Sequence, residues 1–329
     1  MAPVIEGDAP VAHYCNSACM KADWNQHKVA CLRLKDRTTL FRAASTAQKL
    51  FYFYRELSWM QFDVQSAETQ EGHLILRGEW LSEAKWPQDC RPFPTHLFDD
   101  ERDREAALTY LGCIDATQWM VEFVDGMLKG IVTETELVEF NTKNDHRRTR
   151  LIAPKEQVES HLREVVHEVL KVTLRSGEIF ALNLAGAQYG YHEPVVEWQH
   201  YKELRVRVMR IQECPPRPLG LLQVDDYSME KGMFFTRQLK NHVSDGVRSL
   251  AMDILQAINL HILEWQFEGQ FSLADMSKLP EKNFHSKQEN LVNFNIWKFH
   301  VTPRRSGSYT VKGKKLVKDT KGLNWVHAK

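Results

Sequence analysis

The chain has 329 residues, 43% hydrophobic and 26% charged, and its 43 basic and 43 acidic side chains cancel to a formal net charge of zero. This suits one large globular domain or two ordinary ones, and a zero balance argues against a surface built throughout for nucleic acid. No apolar run approaches the roughly 20 residues that cross a bilayer, and Met1 to Pro10 lacks the regions of a secretory signal. The expectation is a cytoplasmic or nuclear protein with no membrane partner, in which the irregularly spaced Cys90, Cys113 and Cys214 stay reduced.

Reading from the N-terminus, the first unit is Tyr14-Cys15-x3-Cys19-x4-Trp24-x2-His27-x3-Cys31. Zinc takes four nitrogen or sulfur ligands in a tetrahedron, and Cys3His is one of its structural sets. On a helix His27 and Cys31 share a face one turn apart, and Cys15 and Cys19 reach the same region from a turn or a first helical turn. These four residues are the candidate metal ligands.

The run from Tyr14 to Cys31 resembles the second half of a MYND-type zinc finger. The resemblance implies a protein-interaction module with structural zinc, in which Cys15 and Cys19 serve one ion, His27 and Cys31 a second, and Trp24 packs between the pairs. It also implies two upstream Cys-x2-Cys pairs, yet residues 1–13 contain no cysteine. Three alternatives stay open: the four ligands gather on one Cys3His zinc, the finger is truncated and binds metal poorly, or its first half is lost through an alternative start. Related fingers present a shallow groove to short proline-containing peptides, which makes Trp24 and Gln26 candidates for that surface.

Leu40, Phe41, Ala44, Ala47, Leu50, Phe51 and Tyr54 recur at spacings of three and four and predict a helix from Asp36 to Leu57, with Asp36, Thr38 and Thr39 as caps. A short strand is expected over His73 to Arg77 and a loop over Trp86 to Pro94. A helical block follows from Asp100 to Lys129, broken at Gly112-Cys113, then a strand from Ile131 to Phe140. Lys143, His146, Arg147, Arg148 and Arg150 form a basic patch that reads as a solvated loop. Strands are expected at Val165 to Leu174 and Glu178 to Leu184, joined tightly by Arg175-Ser176-Gly177. Helices are expected at Trp198 to Arg210, ended before Cys214-Pro-Pro, and between Met233 and Phe267, with Ile254, Leu255, Ile258, Ile262 and Trp265 in its apolar stripe. Arg304, Arg305, Lys312, Lys314, Lys315, Lys318, Lys321 and Lys329 face only Asp319 in the tail, which reads as flexible and is the one segment suited to nucleic acid.

Outside the finger the most distinctive text is Glu178-Ile-Phe-Ala-Leu-Asn-Leu-Ala-Gly-Ala-Gln-Tyr-Gly-Tyr-His-Glu-Pro194. With the finger half it resembles a group of fungal MYND-finger proteins whose large second region has no established activity. In that group an aspartate is common where Asn183 stands here. The residues also permit a chemical reading. Cys113 opens a predicted helix, where the dipole favours thiolate, and His167 and Asn183 lie on consecutive strands. That is the order of papain-like and transglutaminase-like enzymes: Cys113 as nucleophile, His167 as base, Asn183 orienting the imidazole and Gln188 lining the site. Alternatively the Gly-Ala-Gln-Tyr-Gly segment is a turn that needs its glycines, or it closes a partner groove. No phosphate loop, dinucleotide fingerprint or His-Glu-x2-His motif is present.

The overall expectation is an α+β protein. A helical zinc-finger remnant at 11–33 precedes one large domain of helices and antiparallel sheet at 36–300, with a basic tail at 301–329. Its expected role is zinc-stabilised protein interaction, and the alternative is a thiol-dependent hydrolase or transferase.

Overall fold

One long helix organises the chain. In the computed structural model, which describes residues 15–59, 62–80, 93–143, 147–152, 166–209, 245–301, 309–312 and 315–318, helix α1 runs unbroken from Ser17 to Ser58. At 1.5 Å per residue it is about 63 Å long. It begins nineteen residues earlier than the apolar stripe predicts. Its cap is Asn16, whose side chain accepts from the backbone N–H groups of Ala18 and Cys19.

The three residues expected to cap it sit inside it. Thr38 and Thr39 donate their hydroxyls to the carbonyls of Leu34 and Lys35, four residues back, a bond these side chains make within a helix as readily as they cap one. The buried Asp36 carboxylate takes the Arg175 guanidinium as a fork, at 2.6 and 2.7 Å, and the neighbouring Arg37 pairs with Glu178. The helix is thereby fixed to the turn between two strands.

Five strands form an antiparallel sheet in the order β7-β6-β5-β3-β8, where β3 is Val132–Thr142, β5 Val166–Leu174, β6 Ile179–Leu182, β7 Val195–Glu197 and β8 Val206–Met209. The expected tight connection between β5 and β6 is present, with Gly177 at φ 84°. A second sheet pairs β1 (Phe62–Gln70) with β2 (His73–Trp80) as a hairpin and adds β4 (Thr149–Ile152) in parallel. Neither β1 nor β4 is among the predicted elements. The hairpin turn places both Glu71 and Gly72 at positive φ, as a primed turn requires.

The expected helical block resolves into α2 (Glu101–Leu108), α3 (Cys113–Trp119) and α4 (Val121–Leu128). The expected helix at 198–210 stops early. α5 covers Trp198–Arg205, and the β-branched Val206-Arg-Val208 run becomes edge strand β8 against β3. α6 (Asp245–Gly269) buries Ile254, Leu255, Ile258, Ile262 and Trp265 as expected. The short α7 (Leu273–Met276) and the long α8 (Glu281–Val301) were not foreseen. In the tail, β9 (Tyr309–Lys312) pairs with β10 (Lys315–Lys318) where a flexible segment was expected. The basic patch is not a solvated loop throughout, since Arg148 is buried and Arg147 pairs with Asp103. His146, Cys90, Cys214 and most of the expected loop before Pro94 lie outside the described residues.

The fold is α+β, as expected. Its main core forms where Leu40, Ala44, Ala47, Leu50, Phe51 and Tyr54 of α1 meet α2, α4, α6 and α8 and one face of the five-stranded sheet, through Leu170, Val172, Leu174 and Phe180. On the other face of that sheet α5 covers a smaller core of Val138, Phe140, Val169, Ala181, Trp198 and Tyr201.

Candidate functional site

The four finger residues lie on or just before the exposed half of α1. No described side chain between Ser17 and Lys35 is buried, whereas Asp36, Arg37 and most residues beyond are. The first five turns therefore form an arm that leaves the core carrying Met20, Trp24, Val29, Leu32 and Leu34 exposed. The Sγ atoms of Cys15 and Cys19 are 2.9 Å apart, and the hydrogen bond between them raises the Cys19 thiol above its usual range. His27 and Cys31 follow one turn apart on the same helix. The side chain of Gln26 is outside what the structure describes.

Helix geometry decides how these residues meet a metal. Cys19 and His27 are eight residues apart, about 12 Å along the axis, while ligands of one tetrahedral zinc with bonds of about 2.0–2.3 Å sit within about 4 Å of one another. The four side chains thus do not fit a single Cys3His ion. Each pair fits as two of four ligands, and among the described residues no group of three or more His, Cys, Asp or Glu side chains is placed to hold a metal.

Two members of the second constellation, His167 and Asn183, are brought together. Sheet register pairs Leu170 with Leu182, which sets Asn183 opposite Val169 and diagonal to His167. His167 Nε2 donates to Asn183 Oδ1 at 3.1 Å, and Asn183 Nδ2 donates to the Tyr201 hydroxyl at 2.9 Å. Because Oδ1 only accepts, Nε2 carries the proton and Nδ1 of the neutral ring is a lone pair. Nδ1 has no hydrogen-bond partner among the described residues. Phe140 and Tyr189 close on the imidazole edge-to-face, at 5.4 and 4.9 Å.

Cys113 opens α3 and packs on the same strand, its Sγ 3.9 Å from the carbonyl oxygen of Val166. The cysteine is 2% exposed and His167 1%. Here the expected dipole effect is overruled. Burial, then the carboxylate of Glu168, pushes the Cys113 thiol up to about 12, and a helix of seven residues supplies too little field to reverse that. Burial also pulls His167 down to about 4, against the opposing Asn183 bond and with a smaller contribution from Arg205. At rest the thiol and the imidazole are both uncharged.

Gln188 does not line an open site. It is buried, accepts from the Leu111 N–H at 3.1 Å and donates to the Ala185 carbonyl at 2.9 Å, clasping the turn Gly186–Tyr189 to the residue two before α3. The turn reading of its glycines holds in two ways. Gly190 adopts φ 81°, and a Cβ on Gly186 would meet the Tyr191 carbonyl oxygen at 2.6 Å. Sequence reasoning missed three participants. Glu168 accepts from Thr117 at 3.1 Å, Tyr201 accepts from Asn183, and Arg205 stacks on Tyr191 at 3.9 Å and Tyr201 at 5.1 Å. The available signal for Glu168 was alternation along β5, which sets it with Leu170 and Val172 on the face opposite His167 and Val169.

No family model, curated protein or solved structure matches this chain.

Proposed function

We propose that this chain is a protein-interaction protein whose binding element is the projecting arm of α1, with zinc in a structural role at its cysteine and histidine pairs. The supporting observation is the contrast along one helix. The half from Asp36 onward is anchored in the core, while the half before it holds Cys15, Cys19, Trp24 and four large aliphatic side chains at the surface and Cys31 half-buried. Exposed apolar residues concentrated on one element mark a contact surface rather than ordinary scatter. Trp is the side chain most enriched at contact centres, so Trp24 is the expected anchor. The resemblance to a MYND-type half finger points to a regulatory partner, with a short proline-containing peptide as its ligand class.

Fluorescence polarisation with a panel of proline-containing peptides tests this, using the chain with zinc, with chelator, and as Trp24→Ala. Binding that needs both zinc and Trp24 supports the reading, and a panel that binds equally to all three overturns it.

A second reading rests on the hydrogen bond from His167 to Asn183, with Cys113 packed on the strand that carries the histidine. With Nε2 held by Asn183, the free lone pair of Nδ1 is the atom that would take the thiol proton, as acyl transfer through Cys113 requires. Both residues are buried and neutral, so the packing around them must open before a substrate reaches sulfur or ring. Cys113→Ser separates the readings, because it removes any transferase or hydrolase turnover and leaves peptide binding at the arm intact.

A further inference from the structure

We infer that the His27–Cys31 pair is one half of an intermolecular zinc site, completed by the same pair on a second copy of this chain. The inference rests on the zinc reading for its metal and goes beyond it in naming a second copy as the arm's first contact, so that a peptide meets Trp24 at the seam of a pair rather than on a single arm. A structural zinc needs four ligands, and two ligands at i and i+4 on one helix face reach a single ion. Within this chain the other two are not supplied among the described residues. Cys15 and Cys19 lie too far along the axis, and eight helical residues also turn Cys19 about 80° away from His27. An isologous contact presents one patch twice, and two such patches give two histidines and two cysteines.

The rest of the arm suits a helix pair. Met20, Trp24, His27, Cys31 and Leu34 follow at intervals of four, three, four and three, the heptad spacing that keeps one stripe of a helix against a partner. Trp24 lies one turn before the ligands and Leu34 one turn after, 42% and 39% exposed, so apolar side chains flank the ion on both sides and exclude water from it. The flanking charges select the direction. In a parallel pair Asp23 of each arm faces Lys28 of the other across the seam, whereas an antiparallel pair sets the lysines at 21, 28 and 35 against one another. The second copy therefore lies parallel, joined at the arms.

Sedimentation velocity of the full chain, stripped of metal and titrated with zinc, tests this alongside the cobalt absorption spectrum. The expected result is a monomer that becomes a dimer on filling a site of one metal per two chains, with the spectrum of a tetrahedral ion bearing two thiolates. His27→Ala and Cys31→Ser should remain monomeric at every zinc level with unchanged urea midpoints, while Cys15→Ser/Cys19→Ser should still dimerise. A monomer that binds zinc using both pairs overturns the second copy and leaves the zinc reading standing. A chain that takes up no zinc overturns both, and a dimer indifferent to zinc or to Cys31 overturns the shared site alone.

Discussion

His167 and Asn183 hold each other in a fixed orientation: the imidazole gives its Nε2 proton to Oδ1 of the amide, which passes a bond on to Tyr201. The folded protein keeps His167 neutral down to about pH 4, whereas an unfolded histidine titrates near 6.5. The unfolded state therefore binds the extra proton first. The stabilisation from holding the ring neutral is complete above pH 6.5 and is lost as pH falls through 4, a total on the order of 3 kcal/mol. Urea unfolding from pH 7 to pH 4 should show wild type losing stability relative to His167→Gln over that window, and parallel curves for the two proteins contradict the assignment.

Replacing Asn183 separates its structural from its electrostatic part. Asn183→Ala leaves the His167 N–H and the Tyr201 hydroxyl buried without their partner and should cost about 2–4 kcal/mol in urea. Asn183→Asp keeps an acceptor but adds a carboxylate beside the ring, which favours imidazolium. Histidine NMR titration should then find the His167 pKa raised well above that of wild type.

Arg55 is a buried cation that bonds to the connection before α3 and to α3 itself. It donates to the carbonyls of Leu108 and Tyr110 at 2.8 and 3.0 Å, pairs with Asp115 at 3.0 Å, and so ties α1 to the connection that ends at Cys113. Arg55→Leu strands two carbonyls and a carboxylate, and should lower stability by about 3 kcal/mol. Loss of the Arg55 charge also removes what holds the Asp115 carboxyl down against its burial, so the defect should deepen as pH rises above 6.

How much of this was legible in the residues depends on where the physics is local. The half of α1 after Asp36 was readable because Leu40 to Tyr54 form an unbroken apolar stripe. The half before it was expected as a separate helical remnant, and its continuity with the core helix was not legible, because its surface is solvent-facing and Asp36, Thr38 and Thr39 imitate a helix start. α8 was missed because two of its core-facing positions are polar. Gln288 is buried against Ser45, Thr46 and Lys49 of α1, and Asn295 bonds back to Leu291, which erases the hydrophobic period. The meeting of His167 with Asn183 followed from strand alternation and a short turn. The acidity of Cys113 did not, because it is set by what covers the thiol.

Cysteine alkylation followed by mass spectrometry should order the thiols by that cover. In the native, metal-free chain at pH 8, Cys15 and Cys19 are exposed and should react at least 100-fold faster than Cys113. Addition of zinc should slow Cys31. Rapid labelling of Cys113 in the folded state would mean that the packing over its thiol opens readily, and would favour thiol chemistry over the arm as the centre of function.

Because one unbroken helix carries both the finger residues and the centre of the core, the arm is a ruler rather than a tether. A module on a flexible linker searches a volume, but this one points along a line set by the Asp36–Arg175 and Arg37–Glu178 anchors. Whatever grips Trp24 is held at a fixed reach and azimuth from the domain, about 18 Å along the axis from Asp36. Inserting one residue near Lys35 would swing the whole gripping face by about 100° while leaving every residue of it intact.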